Sequence, residues 1–191
     1  MPPGSRLSAE KLLYLYTVGV FPMANSADDK EIYLVEPVKR GIIPLDKFKP
    51  SRSMRREINR AAYQIRTDTA FKNTMENCAR RETTWINGQI IDLYCTLFDM
   101  GYAHSVEVWD GKEMVGGLYG VAIKHAFFGE SMFSFRKNTS KLALCHLADI
   151  LKQNGYRLLD TQFITPHLAS MGGIEIPQKK YLQLLKNALT D

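Results

Sequence analysis

Between residues 103 and 133 the hydrophobic period is two, a pattern no helix can satisfy. Side chains alternate across a strand, so 103–109, 114–123 and 126–133 read as three successive strands. Asp110-Gly111 between the first two is a tight-turn signal, because glycine tolerates the positive φ such turns need. This meander commits the chain to an antiparallel sheet, and helical patterns stand on both sides of it. Ser8 caps a helix through Val18 that stops at Gly19. Ser51 begins one to about Ala62, Asp68 caps one to about Arg80, and Asn87 caps another that ends before Gly101. After the meander, 140–154 turns Leu144, Leu147, Ala148 and Leu151 to one face and stops at Gly155. Residues 158–162 read as a buried strand, and 181–189 as a final helix. Shorter strands are expected at 32–35 and 63–67. Residues 19–23 turn the chain, 26–30 form a polar loop, and Pro37, Gly41 and Pro44 punctuate an extended connector. The sum is an α+β chain built on a mixed sheet, with a soft boundary near Val38 between a small N-terminal lobe (1–38) and a larger domain (39–191).

A chain of 191 residues can bury one good core, and 45% hydrophobic with 24% charged residues is ordinary for a globular protein. Apolar stretches are short and interrupted, so no segment reads as a membrane span. Residues 1–6 lack an apolar signal core, which makes the cytosol the expected compartment. A net charge of +5 suits a polyanionic partner, but it suits many enzymes with no such partner equally well. Cys78, Cys95 and Cys145 are odd in number and far apart in apolar helical patterns, so they read as free thiols. His104, His125, His146 and His167 follow no metal-ligand spacing and no triad pattern, and no phosphate-cradling loop or nucleophile elbow occurs.

Two constellations carry chemistry. On the helix that Ser51 opens, Arg52, Arg56 and Arg60 share a face, Arg55 joins them, and Met54, Ile58 and Ala61 fall opposite, where they could dock on the body. Such a comb of guanidinium groups fits a line of phosphates, and it is also what a solvated helix surface looks like. The second constellation begins with Val115-Gly116-Gly117-Leu118-Tyr119-Gly120-Val121. Glycine weakens a strand unless something must come close, so these glycines are expected to open the sheet into a cleft. The following strand places Glu130 between Phe128 and Met132, and Asp160 and Gln162 lie two apart on the strand at 158–162. Buried carboxylates must be paired or hydrogen-bonded. Glu130 and Asp160 on adjoining strands form either a structural polar network or the floor of a pocket for a cationic, amine-bearing substrate.

With these residues assembled, the chain closely resembles the bacterial leucyl/phenylalanyl-tRNA–protein transferases. The matching words are Gly19-Val-Phe-Pro-Met23, Ser51-Arg-Ser-Met-Arg-Arg56, Thr84-Trp-Ile86, Ala103-His-Ser-Val-Glu-Val-Trp109, Val115-Gly-Gly-Leu-Tyr-Gly-Val121, Gly129-Glu-Ser-Met-Phe-Ser134, Ser140-Lys141, Asp160-Thr-Gln162 and His167-Leu168. They run in one order over about residues 10 to 185. The resemblance implies a small N-terminal lobe on an N-acetyltransferase-like (GNAT-like) domain. It implies a monomeric cytoplasmic enzyme that moves Leu, Phe or Met from aminoacyl-tRNA to proteins beginning with Arg or Lys, marking them for N-degron degradation. No metal, organic cofactor or membrane is implied.

By position, Trp85 is similar to a tryptophan that stacks on the terminal adenosine. Leu118, Phe127 and Met132 correspond to the pocket for the aminoacyl side chain, and Glu130, Asp160 and Gln162 to the polar reaction centre. Arg52, Arg55, Arg56 and Arg60 correspond to a basic cluster on the tRNA body. Strict alternation separates Phe127 from Met132, so a bulge at Gly129 is expected. Where relatives commonly carry aromatic residues this chain has Ile32-Tyr33-Leu34, which leaves Tyr33 as the second adenosine partner or leaves that partner missing. Asn59 stands where some relatives carry a cation, and the N-terminal lobe is short. Two rivals are an acetyl-CoA-dependent N-acetyltransferase and a non-catalytic tRNA-binding module. The first lacks glycine in its would-be phosphate turn, Phe135-Arg136-Lys137-Asn138-Thr139. The second leaves Asp160-Thr161-Gln162 unexplained.

Overall fold

The structure, a computed structural model, describes residues 7–26, 29 and 31–190. Residues 1–6, and residues 27, 28 and 30 of the expected polar loop, lie outside the described residues. Ser8 caps α1 (Ala9–Thr17) by accepting from the Lys11 amide, and Gly19 ends the helix at φ +81°. Part of the expected turn after it is a strand: β1 (Phe21–Met23) pairs with β2 (Tyr33–Val35) in a small antiparallel sheet. The expected connector is also a strand, β3 (Lys39–Ile43), set inside the main sheet. Its punctuation misled: Pro37 and Pro44 stand just outside it. At Gly41 a Cβ would lie 2.8 Å from the Phe163 backbone.

Next come α2 (Arg52–Arg60), β4 (Gln64–Thr67), α3 (Phe71–Ala79) and α4 (Gly88–Asp99). Asp68 does not cap α3. At φ +58° its carboxylate accepts from the Ser105 amide and meets the His104 ring at 2.8 Å, a His–Asp pair that spacing did not reveal. The amides of Thr69 and Ala70, at the head of α3, donate instead to the buried Glu107 carboxylate, a favourable place for negative charge. Asn87 caps α4 as read. The meander forms as β5 (Ala103–Asp110), β6 (Glu113–Ile123) and β7 (Ala126–Ser134). Then follow α5 (Thr139–Gln153), β8 (Leu158–Gln162), a short helix α6 (Pro166–Ser170), β9 (Ile174–Pro177) and α7 (Gln178–Leu189). Neither α6 nor β9 was anticipated.

Among the described residues the main sheet runs β4-β5-β6-β7-β8-β3-β9, antiparallel throughout except for the β7–β8 pair, which α5 joins. The fold is thus α+β, a small N-terminal part ahead of a mixed-sheet domain. One buried cluster gathers residues of α1, α3, α4 and α7. The other gathers α5 with Met54 of α2. Leu12, Tyr16 and Phe21 of the N-terminal part share the first cluster with Phe128 and Tyr181.

Candidate active site

The parallel pairing of β7 and β8 stops at Phe128↔Asp160, and beyond it the strands part. A cavity of about 260 Å³ occupies the gap, with Gly129–Met132 on one wall and Thr161–Phe163 on the other. It meets both layers of the core. Leu118, Met132, Leu144, Leu147 and Leu159 line it on the α5 side, whereas Arg81, Trp85, Tyr119 and Glu130 line it toward α3 and α4.

The cleft is not opened by the glycines of β6. A Cβ on Gly116 would lie 2.4 Å from Thr139 Oγ1, and one on Gly120 2.3 Å from the Phe128 carbonyl. Those glycines admit α5 and β7 closely, and strand divergence makes the cavity. The expected bulge is present. The register slips so that Tyr119 faces Ser131 while Gly120 faces Gly129, leaving Glu130 as the extra residue. Phe127 and Met132 thereby reach the same side of the sheet. Phe127 nevertheless does not line this cavity. It is 2% exposed and faces a separate one beside Val106 and Ile150, so it backs the slot that Leu118 and Met132 line.

Glu130 is buried, and the sequence does not betray what holds it. Tyr16 donates to Oε1 at 2.6 Å and Tyr94 to Oε2 at 3.0 Å, and the two hydroxyls touch one another. Gln162 Nε2 donates to Oε1 at 2.9 Å. Burial raises the Glu130 pKa to about 7 against the pull of these three donors, with Asp160 adding a smaller upward push. Gln162 sits at φ +62°, a conformation costly for a non-glycine residue, and its amide donates to Asp160 Oδ1 at 2.7 Å. Because its NH₂ donates to Glu130, Gln162 turns its carbonyl oxygen elsewhere.

Asp160 lies beneath the cavity rather than in its lining. Arg40 grips it with Nε at 2.9 Å to Oδ1 and Nη2 at 2.6 Å to Oδ2, and Tyr181 donates to Oδ2 at 2.7 Å. Arg40 lies between the Phe21 and Tyr181 rings, 4.5 and 4.6 Å from their centroids, and its Nη1 donates to the Gly19 carbonyl. Both oxygens of Asp160 are therefore engaged within the protein, and its Oδ1 also accepts from the Gln162 backbone amide.

Trp85 lines the cavity from the segment between α3 and α4. Beside it Arg81, which sequence reasoning missed, donates through Nη2 to Ser131 Oγ and to the Met132 carbonyl. Tyr33 is exposed on β2 and is absent from the lining. Arg52, Arg55, Arg56 and Arg60 are all exposed on α2, and Glu57 reaches Arg60 at 3.7 Å. Only Met54 of that helix is buried. Ile58 is 39% exposed and Ala61 is the left-handed C-cap, so neither docks as expected. At the head of α5, the Thr139 and Ser140 amides are engaged by the Arg136 carbonyl and Ser134 Oγ. No helix of the described residues is long and apolar enough to cross a membrane.

Residues 42–186 match the family described as leucyl/phenylalanyl-tRNA protein transferase, and residues 5–38 match that family's N-terminal domain. The leucyl/phenylalanyl-tRNA–protein transferase of Ruegeria sp. (strain TM1040) is 53% identical over 183 residues, 96% of this chain and 87% of that protein. The protein of the same name from Maricaulis maris (strain MCS10) is 52% identical over 185 residues, 95% of this chain and 86% of its own length. Among solved structures, L-PGS from Bacillus licheniformis aligns with a TM-score of 0.43 at 14% identity, covering 84% of this chain and 55% of that one.

Proposed function

Because the chain belongs to the leucyl/phenylalanyl-tRNA–protein transferase family, we propose that it moves Leu, Phe or Met from aminoacyl-tRNA to the α-amino group of proteins that begin with Arg or Lys. The product enters the N-degron route, and the charged tRNA places the reaction in the cytoplasm. The carrying observation is one cavity in which an apolar slot (Leu118, Met132) meets Glu130, Gln162 and Trp85.

In this reading the donated side chain fills the slot and Trp85 stacks on the terminal adenosine. Tyr33 takes no part in that contact. Arg52, Arg55, Arg56 and Arg60 meet the tRNA body, outside the cavity. The ester is already activated, so no covalent intermediate is needed, and holding amine against ester can be worth about 7–11 kcal/mol in favourable cases. Gln162 accepts a hydrogen bond from the neutral acceptor amine through its carbonyl oxygen, and Asp160 fixes Gln162. Glu130 meets the acceptor's cationic end. The amine nitrogen bonds to the ester carbonyl carbon, the bond to the tRNA oxygen breaks, and the amine's proton ends on that oxygen.

The test is incubation with radiolabelled Leu-tRNA and an Arg-starting peptide. Label should pass to the peptide in a base-stable bond, and Gln162→Ala should lower the rate far more than tRNA affinity. Label that stays on tRNA with wild-type protein would sink the reading. Acetyl transfer from acetyl-CoA is the rival: the turn before α5 holds no glycine, the Thr139 and Ser140 amides at the head of that helix are already engaged, and a titration with acetyl-CoA discriminates the two.

A further inference from the structure

Three tyrosines, Tyr16, Tyr94 and Tyr119, are fully buried around Glu130. Two of them donate to its carboxylate. The third does not. Tyr119 is 0% exposed and lines the cavity, yet its hydroxyl has no hydrogen-bond partner among the described residues. A buried donor left unpaired is destabilising. The ring is held edge-on by Phe71 and Tyr94, with centroids 5.9 and 5.7 Å away, so the hydroxyl cannot swing to a partner without breaking that packing. Burial and the neighbouring Glu130 charge both raise its pKa, so it stays protonated as a donor.

The other polar groups of the cavity leave one task open. Glu130 and Gln162 offer acceptors for an amine, but the ester carbonyl needs a donor. Two side-chain donors of the lining are engaged or turned away. Arg81 Nη2 is tied to Ser131 and Met132. Thr161 Oγ1 also lacks a partner among the described residues, but it lies against Gly41 of β3, where a Cβ on that glycine would come within 2.8 Å of it. We propose that the Tyr119 hydroxyl is a catalytic donor to the carbonyl oxygen of the aminoacyl ester. As the acceptor's lone pair forms the new C–N bond, the carbonyl π electrons move to that oxygen and the phenol meets the growing charge. Their return expels the tRNA's terminal oxygen, which leaves protonated. The inference rests on the transferase reading and adds a residue to it.

Tyr119→Phe removes one oxygen atom and nothing else. With Phe-tRNA and an Arg-starting peptide under single-turnover conditions, the maximal rate should fall by about 10²-fold, as for loss of one oxyanion donor. KM for Phe-tRNA should hold, and Tm should stay level or rise because an unpaired hydroxyl is gone. An unchanged rate, a loss confined to KM, or a lowered Tm would each overturn the assignment. Wild-type protein that transfers no label would instead refute the underlying function, so the two failures are told apart.

Discussion

Glu130 is held between opposing forces. Removal from water favours its neutral form and lifts the pKa from the ordinary 4.5 to about 7, while hydroxyls from Tyr16 and Tyr94 and the Gln162 amide favour the charged form. The folded protein thus keeps a proton that the unfolded chain gives up. Stability from this group is greatest below the unfolded value, declines as pH rises through the window from 4.5 to about 7, and levels off above it. Glu130→Gln keeps the shape without the ionisation. Urea midpoints followed across that window should therefore rise for the variant relative to wild type with increasing pH, by up to about 3 kcal/mol in total. Curves that stay parallel would show that burial does not set this carboxyl's state. The carboxyl itself was legible, since an acid between Phe128 and Met132 on a strand asks for an explanation. Its partners were not, because Tyr16 and Tyr94 occupy ordinary core positions on α1 and α4, 114 and 36 residues away. Arg40 was hidden for another reason: it lies in a stretch whose prolines and glycine suggest a connector, so the ion that neutralises Asp160 went unseen.

At the scale of elements, local rules served best where one rule acted alone. The Ser8, Ser51 and Asn87 caps all form, because each needs only a side-chain oxygen within reach of an amide three residues on. Asp68 obeys the same rule on paper and fails because Ser105, on a strand not yet in view, claims its carboxylate. The bulge in β7 could be anticipated from the conflict between alternation and the pocket. Its consequence, that Glu130 is the residue squeezed out, required the register. Helix α2 was read correctly on its arginine face and wrongly on its apolar face: it ends at Ala61 and anchors through Met54 alone. That leaves four exposed cations on a short, lightly held helix. Replacing Arg52 and Arg56 by Ala should weaken tRNA binding and reduce the slope of log affinity against log salt by roughly one to two, the loss of two phosphate contacts. A slope equal to wild type would mean that α2 is solvated surface.

At the scale of the whole molecule, the lobe expected at residues 1–38 and the sheet domain expected after it are bound through the candidate site. Tyr16 of α1 donates to Glu130, and the Gly19 carbonyl and the Phe21 ring hold the same arginine that neutralises Asp160. That arginine sits on β3, which enters the sheet between β8 and β9 from far away in sequence. No periodicity reports such an insertion, since a strand's pattern tells which face is buried and not which neighbour it finds. If the coupling is as tight as these contacts imply, the chain unfolds as one unit. Far-UV circular dichroism and the fluorescence of Trp85 and Trp109 should then trace a single coincident transition in urea. Arg40→Met keeps bulk between the two rings but leaves the Asp160 charge buried without a cation, which should cost about 3–5 kcal/mol. Because Arg40 ties both parts together, that loss should move both probes by the same amount. Two separated transitions in the variant would mean instead that the N-terminal part holds its own fold and that the arginine only staples it to the site.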